Sequence, residues 1–445
     1  MSKTGYVYLI SSIAAIGGIL FGYDTAVISG TTEALQSHFK LNDNTLGWIV
    51  SCALIGCIIG VAGAGWIIDT FGRKKGMFFS GLLFMISALG CAFPINIEFL
   101  IMARLVGGIG VGVASMATPI YIAEIAPPDI RGKLVSINQV AIIIGMVMAY
   151  TANRYIIDLG DEDWMNNLGW RWMFATEMVP AVLYLLLLYF IVESPRWLAK
   201  SQKLERAQLV LQKITRPRFV EATYSAILNN LKEEEGTVGE LFRPKRRRIT
   251  IMAMILALFQ AITGINVIMY YAPRIFLTAG IATGDAYGHS IIIGLVMLVF
   301  TLVSLFLVDR IGRRLLLLVA SFGMGISLIL LGIAFPDVEE GGTLLLLYTL
   351  SYVSFFSVGM GGIYWIVVSE IFPNRVRGRA MTISVFFLWG GNFLVAQFFP
   401  VMLSVLKENV FFVFAVSCGI CFLFIYLTVP ETKGQSLEDI ENKLF

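Results

Sequence analysis

Twelve long, unbroken apolar runs constrain this chain more than any other feature. They fall at roughly 6–30, 46–68, 76–95, 99–122, 132–157, 171–192, 248–277, 288–308, 315–335, 343–369, 378–405 and 409–429. A helix needs about 20 mostly apolar residues to cross a bilayer. In lipid only helices or closed barrels satisfy the backbone, and these runs lack the alternation of barrel strands. They predict an all-α membrane protein. The composition agrees, with 57% of the 445 residues hydrophobic and 14% charged, where a water-exposed surface needs nearer a quarter charged. The first run reads as a span and not as a cleavable signal. A net charge of +3 makes no case for nucleic acid. Five Cys and two His leave little material for a metal site, a cofactor or a disulfide framework.

The basic residues set the orientation. With an even number of spans, both termini and every second loop share a side, and those segments hold 27 of the 33 Lys and Arg. By the positive-inside rule, both termini are expected in the cytoplasm, and the short loops fit a bacterial inner membrane. Two patterns recur along the chain. Asp69-Thr70-Phe71-Gly72-Arg73-Lys74 returns as Asp309-Arg310-Ile311-Gly312-Arg313-Arg314, 240 positions on. Glu124 with Arg131-Gly132 returns as Glu370 with Arg377-Gly378, 246 positions on. The nearly equal offsets predict two six-helix bundles, 1–192 and 248–430, joined by a cytoplasmic linker 193–247 with short helices and followed by a tail 431–445. Repeated halves are the common plan of secondary transporters.

The Asp-x-x-x-Gly-Arg loops after spans two and eight resemble those of the major facilitator superfamily. Glu193-Ser194-Pro195-Arg196-Trp197, Pro430-Glu431-Thr432-Lys433-Gly434 and Gly264-Ile265-Asn266 resemble the sugar porter family within it. Phe21-Gly22-Tyr23-Asp24 and Gly169-Trp170-Arg171 look most like its bacterial proton-coupled pentose and hexose symporters, of the xylose type. The resemblance runs from the first span to the C-terminus.

Three ionisable residues fall at or near helix cores: Asp24, Arg104 and Glu177. A carboxylate at bilayer depth is costly unless protonated or paired, and such residues usually mark function. Asp24 therefore reads as a proton site tuned by Arg104. The plainer alternatives are a structural salt bridge, or Arg104 snorkelling at a helix end. The resemblance implies that Asp24 is the proton-coupling residue, with Arg104 and Glu177 its associated pair.

A sugar needs amides that donate and accept, together with an aromatic plane. Gln139, Gln260, Asn266, Trp365, Trp389 and Asn392 supply these groups on spans five, seven, ten and eleven. Amide bonding between helices is the alternative reading. Gln260 and Asn266 stand about 240° apart on a regular helix, so they converge on one ligand only if Gly264 breaks span seven. The resemblance implies sugar binding by Gln139, Gln260, Asn266 and Trp365, with Phe21, Tyr270 and Trp389 as aromatic lining and Trp365 closing over the substrate. The chain departs from the family pattern at Ala261, Met146, Met297 and Leu388, where amides are expected. Losing them weakens discrimination among hydroxylated ligands.

Asp69 with Arg73, Asp309 with Arg313, Glu124 with Arg131 and Glu370 with Arg377 place opposite charges at helix ends, and the resemblance makes them a gating network. Exposed pairs of little energetic weight are the alternative. Gly107-Gly108-Ile109-Gly110-Val111-Gly112 lies inside an apolar span with no strand before it, so it reads as a packing surface and not as a nucleotide loop. Cys418-Gly419-Ile420-Cys421 reads as apolar filler, and Lys245 to Arg248 as an anchor for span seven.

The expected protein is thus a non-enzymatic alternating-access transporter that imports a monosaccharide or related polyol with a proton and works as a monomer in the bilayer. A proton-independent facilitator, an exporter of a less polar molecule, and a non-transporting sugar sensor are the alternatives.

Overall fold

The structure, a computed structural model, describes residues 3–231, 237–336 and 342–434. It contains helices and turns, with no strand among the described residues. Among the described residues, twelve helices are long and apolar enough to cross a membrane: Lys3–Phe39, Asp43–Phe71, Arg73–Ala92, Ile97–Ile125, Arg131–Ile157, Glu162–Leu188, Arg246–Thr278, Thr283–Ile311, Arg313–Ala334, Thr343–Glu370, Arg375–Leu406 and Asn409–Thr428. They are called spans one to twelve below. Each overlaps one of the apolar runs. Several are longer than the run: span one has 37 residues, about 55 Å at 1.5 Å per residue, against about 30 Å of hydrocarbon.

The ends and breaks have local causes. Between spans three and four, Asn96 caps the new helix by accepting a hydrogen bond from the Phe99 N–H at 2.8 Å. Its carboxamide satisfies one of the donors that every helix start leaves free. Span seven is broken between Gln260 and Asn266, into helices Pro244–Ile262 and Ile265–Thr278. Gly264 sits at the joint with φ 97°, a left-handed value that costs other residues energy. The break leaves carbonyls without helical partners, and one of them, on Thr263, accepts from the Tyr352 hydroxyl at 2.9 Å. Span six is interrupted around Glu177, between helices Trp170–Thr176 and Met178–Leu188. Span ten is interrupted between Val358 and Ile363, a stretch of three glycines and Met360. The linker forms the helices Pro195–Lys200, Leu204–Ile214 and Val220–Asn230.

By compactness the chain divides into two units, each made of non-contiguous segments. The first comprises Met1–Thr25, Ile55–Ala149 and Arg171–Glu234; the second comprises Ala26–Leu54, Tyr150–Trp170 and Glu235–Phe445.

In the first unit, spans two and four meet backbone to backbone. A Cβ added to Gly60 would lie 2.4 Å from the Ile109 carbonyl oxygen and 2.9 Å from the Gly112 Cα. One on Gly56 would lie 2.3 Å from the Leu105 carbonyl oxygen and 2.9 Å from the Gly108 Cα. Gly56 and Gly60 on one helix thus face Gly108 and Gly112 on the other, so the glycine-rich stretch is the packing surface its sequence predicted. Small residues at this spacing let two helices gain van der Waals contact, which is what drives association in lipid.

In the second unit, span nine packs on spans ten and twelve, and span seven on span eleven.

A shared device begins spans three and nine. Gly72 and Gly312 precede them with φ 102° and 105°. In each case a carboxylate from far along the chain, 120 and 118 positions on, sits on the helix start. Glu193 accepts from the Arg73 and Lys74 N–H groups at 3.0 and 3.1 Å, and Glu431 from those of Arg313 and Arg314 at 2.9 and 3.1 Å. Negative charge there complements both the free N–H groups and the helix dipole. The internal repeat is therefore one of geometry as well as of residues.

Candidate functional site

In the first unit, Asp24 and Arg104 form an ion pair at 3.2 Å. Both are buried, as is Glu177, which is 1% exposed. The break in span six places Glu177 where Thr176, its neighbour, accepts a hydrogen bond from the Tyr23 hydroxyl at 2.7 Å. The Glu177 Oε1 atom has no hydrogen-bond partner among the described residues, and the Arg104 guanidinium also lies 6.0 Å from the Phe174 ring centre. The cluster holds two acids and one base, so it is electrically neutral only when one carboxyl carries a proton. Burying it ionised would leave an uncompensated negative charge in low dielectric, a cost of several kcal/mol. Arg104 is paired deep in the bundle and does not snorkel. Gln139 and Phe21 belong to the same unit, and both are partly exposed.

The second unit holds Gln260, Asn266, Tyr270, Trp365, Trp389 and Asn392. Gln260 ends the first helix of span seven, and Asn266 opens the second. Trp365 stands on the second helix of span ten, its ring 5.1 Å from that of Tyr364. Trp389 and Asn392 lie one turn apart on span eleven, both buried. Two acceptor atoms here, Gln260 Oε1 and Asn392 Oδ1, lack a partner among the described residues. They suit the hydroxyl donors of a polyol, since a buried acceptor left alone costs about 1–3 kcal/mol. The four departing positions are all filled and buried, with Met146 at 4%, Met297 at 7%, Leu388 at 4% and Ala261 at 0% exposure. Ala261 packs against span eleven, its Cβ 2.8 Å from where a Cβ on Gly391 would stand.

The charged loop residues pair differently from the order in which the sequence presents them. Arg73 bonds Glu124 through two nitrogens at 2.9 and 3.0 Å and also pairs with Asp69 at 3.1 Å. Its counterpart Arg313 pairs with Glu370 at 3.0 Å and Asp309 at 3.2 Å. Among the described residues, no ion pair joins Glu124 to Arg131 or Glu370 to Arg377. Arg131 is exposed, and the Arg377 side chain donates to the Phe372 carbonyl at 3.3 Å.

Sequence reasoning assigned no role to the residues that complete these networks. The Ser194 hydroxyl donates to Glu124, and that of Thr432 to Glu370 at 2.6 Å. Glu193 and Glu431 hold the helix starts described above. The signal was present, since all four lie in the two motifs that end the halves. Burial, outweighing its backbone N–H donors and nearby Arg73, holds the Glu193 carboxyl above its ordinary value. Burial acts on Glu431 in the same sense, but N–H groups of Lys433, Arg313, Arg314 and Thr432 prevail and hold it below.

Twelve spans with broken helices, a buried acid–base cluster and a set of unsatisfied amides define a secondary transporter. No step in that arrangement calls for a nucleophile or a nucleotide. The chain belongs to the Sugar (and other) transporter family, whose profile matches residues 10–444. It is 40% identical to the arabinose-proton symporter of Bacillus subtilis over 439 residues, 98% of this chain and 95% of the relative. It is also 40% identical to the D-xylose-proton symporter of Escherichia coli K12 over 472 residues, covering 99% and 96%. The inward open conformation of the xylose transporter XylE from E. coli matches with a TM-score of 0.88 at 38% identity, covering 98% of this chain and all of that one. The protein is a multi-pass cell-membrane sugar transporter of the major facilitator fold and not an enzyme.

Proposed function

We propose that this chain imports a pentose or hexose, or a related polyol, together with a proton by alternating access. The observation that carries the reading is the buried Asp24–Arg104 pair with Glu177 buried within electrostatic reach of both, a cluster neutral only with one proton bound. Proton uptake there balances the charge, and proton loss unbalances it. That difference in free energy biases one conformation over the other. Gln139 and Phe21 in the first unit, and Gln260, Asn266, Tyr270, Trp365, Trp389 and Asn392 in the second, supply the amides and aromatic planes for the sugar. Relatives named for arabinose and xylose make a pentose the first candidate. The halves 1–192 and 248–430 move about the linker 193–247, the networks of Arg73 and Arg313 reorganise as they move, and Arg131 and Arg377 are freed or engaged at that step. Both termini and the tail 431–445 lie in the cytoplasm, and the monomer in the inner-membrane bilayer is the working unit.

A second reading, a proton-independent facilitator or an exporter of a less polar molecule, is favoured by the apolar side chains at Ala261, Met146, Met297 and Leu388. Uptake into proteoliposomes separates the two. With xylose, arabinose, glucose, galactose and inositol offered in turn, symport is expected to accumulate one sugar above equilibrium only under an inward proton gradient. Equilibration that ignores the gradient would instead establish the facilitator.

A further inference from the structure

Within the second unit, one cation ties together elements that no motif connects. Arg274 lies in span seven beyond the Gly264 break and directly after Pro273, with a side chain 12% exposed. Its Nη1 donates to Gln36 Oε1 at 2.6 Å, and its Nη2 to Asp43 Oδ1 at 2.9 Å. Glu33 Oε1 lies 3.4 Å from Nη1. Gln36 and Glu33 are on the last turns of span one, and Asp43 opens span two. Gln36 in turn donates to Asp43 Oδ1 at 3.2 Å, so a single guanidinium clamps the whole connection between these spans. The other ties in the same region join neutral groups. The Tyr287 hydroxyl bonds the Gly30 carbonyl at 2.8 Å, that of Tyr150 bonds the Met269 carbonyl at 2.9 Å, and Ser51 bonds Gln397 at 2.8 Å.

We infer that Arg274 is the latch of the exterior gate, a positioning residue for transport that acts without touching the sugar. The inference rests on the orientation and alternating access proposed above. This end of the spans lies away from the Asp69 and Asp309 loops, so on that orientation it faces the exterior. The contacts close spans one and two onto span seven, and an exterior opening must break them. Two carboxylates, an amide and one forked cation make a clamp of fixed geometry that an ammonium cannot reproduce. The Glu33 and Asp43 side chains are 44% and 26% exposed, so water competes for them and the latch holds without locking. A tie of this kind shifts a two-state balance by a modest factor, about two- to tenfold for a partly exposed pair.

The test uses Ser51→Cys as reporter, because Ser51 is fully buried against Gln397 in the closed arrangement. The five native cysteines are buried, and the parent chain without the reporter measures their background. In full-length protein in liposomes, a membrane-impermeant maleimide added outside is expected to label Ser51→Cys about two- to tenfold faster when Arg274→Gln is also present. Arg274→Lys should fall between the two. The charge exchange Arg274→Asp with Asp43→Arg should return the rate toward the parent, although Arg274→Asp alone accelerates it. KM for external sugar should drop by a similar factor in Arg274→Gln, because more of the protein then presents its outer side. Equal labelling rates and unchanged KM in folded, monodisperse Arg274→Gln protein would overturn the latch. So would acceleration that the charge exchange does not reverse. Labelling needs no sugar and no gradient, so a failure of the proposed transport activity would show separately in the uptake assay.

Discussion

At the scale of the residue, the chemistry depends on which groups are buried without balance. Asp24→Asn leaves Arg104 with Glu177 alone, one acid and one base, so no proton is needed for neutrality. The expected outcome is loss of gradient-driven accumulation with sugar exchange across the membrane retained. Counterflow measured beside uptake checks it, and accumulation unaltered by the substitution would remove Asp24 from coupling.

The two carboxylates that begin spans three and nine make a second prediction, in which sign matters. The Glu431 value is depressed in the folded protein, so its stabilisation is present above the ordinary carboxylate range and is lost as pH falls through the depressed value. That of Glu193 is raised, so its contribution is complete below the ordinary value and is lost as pH rises through the raised one. At neutral pH, Glu431→Gln should therefore destabilise by about 0.3–1 kcal/mol, the scale of a water-screened charge at a helix start, and Glu193→Gln should cost less. Thermal unfolding measured from pH 7 down to about 3, below the ordinary carboxylate value, should show the difference between the two variants closing as Glu193 and then Glu431 take up protons.

At the scale of the element, the glycine seam and the broken helix were legible to different degrees. The spacing of Gly108 and Gly112 inside an apolar run announced a packing face, because in lipid little else explains small residues repeated each turn. Its partner face, Gly56 and Gly60, could not be named beforehand, since nothing in a single chain says which helix lies alongside. Gly60→Ala should destabilise by about 1–3 kcal/mol through overpacking, for its Cβ would fall 2.4 Å from a backbone oxygen. Gly63→Ala on the same span meets nothing within 4 Å, and should be neutral or slightly stabilising. Thermal unfolding of the pair in detergent tests the seam directly.

The break in span seven was legible from Gly264, standing between two amides that an unbroken helix would turn apart. What holds it was not, since Tyr352 lies 89 positions from Thr263. Tyr352→Phe should cost about 1–3 kcal/mol by leaving the Thr263 carbonyl unsatisfied, again read from thermal unfolding.

At the scale of the whole molecule, span number followed from apolar length, orientation from loop charge, and the repeat and the family resemblance from short motifs. Those signals are one-dimensional, because a bilayer turns composition along the chain into topology. Charge partners are not one-dimensional, and here the order of residues misled. The loops place Glu124 nearest Arg131 in sequence, yet the fold brings it to Arg73, 51 positions away. Specificity is also settled at this scale. Met297 and Leu388 are buried apolar side chains where the family resemblance expects amides. Installing Met297→Asn and Leu388→Gln should make the sugar-free protein less stable, because buried amides then wait for partners. The same pair should enlarge the rise in unfolding temperature caused by xylose. A xylose shift no larger than that of the parent would show that those positions do not face the substrate.

The contact of spans two and four also bears on how this protein can change over time. Where two backbones touch, there is no side chain left to trade for another, and even one added carbon has nowhere to go. Random mutagenesis selecting for a new sugar preference should therefore recover changes widely across the spans and none at Gly56, Gly60, Gly108 or Gly112. Those four positions are a fixed seam around which the rest of the bundle is free to drift.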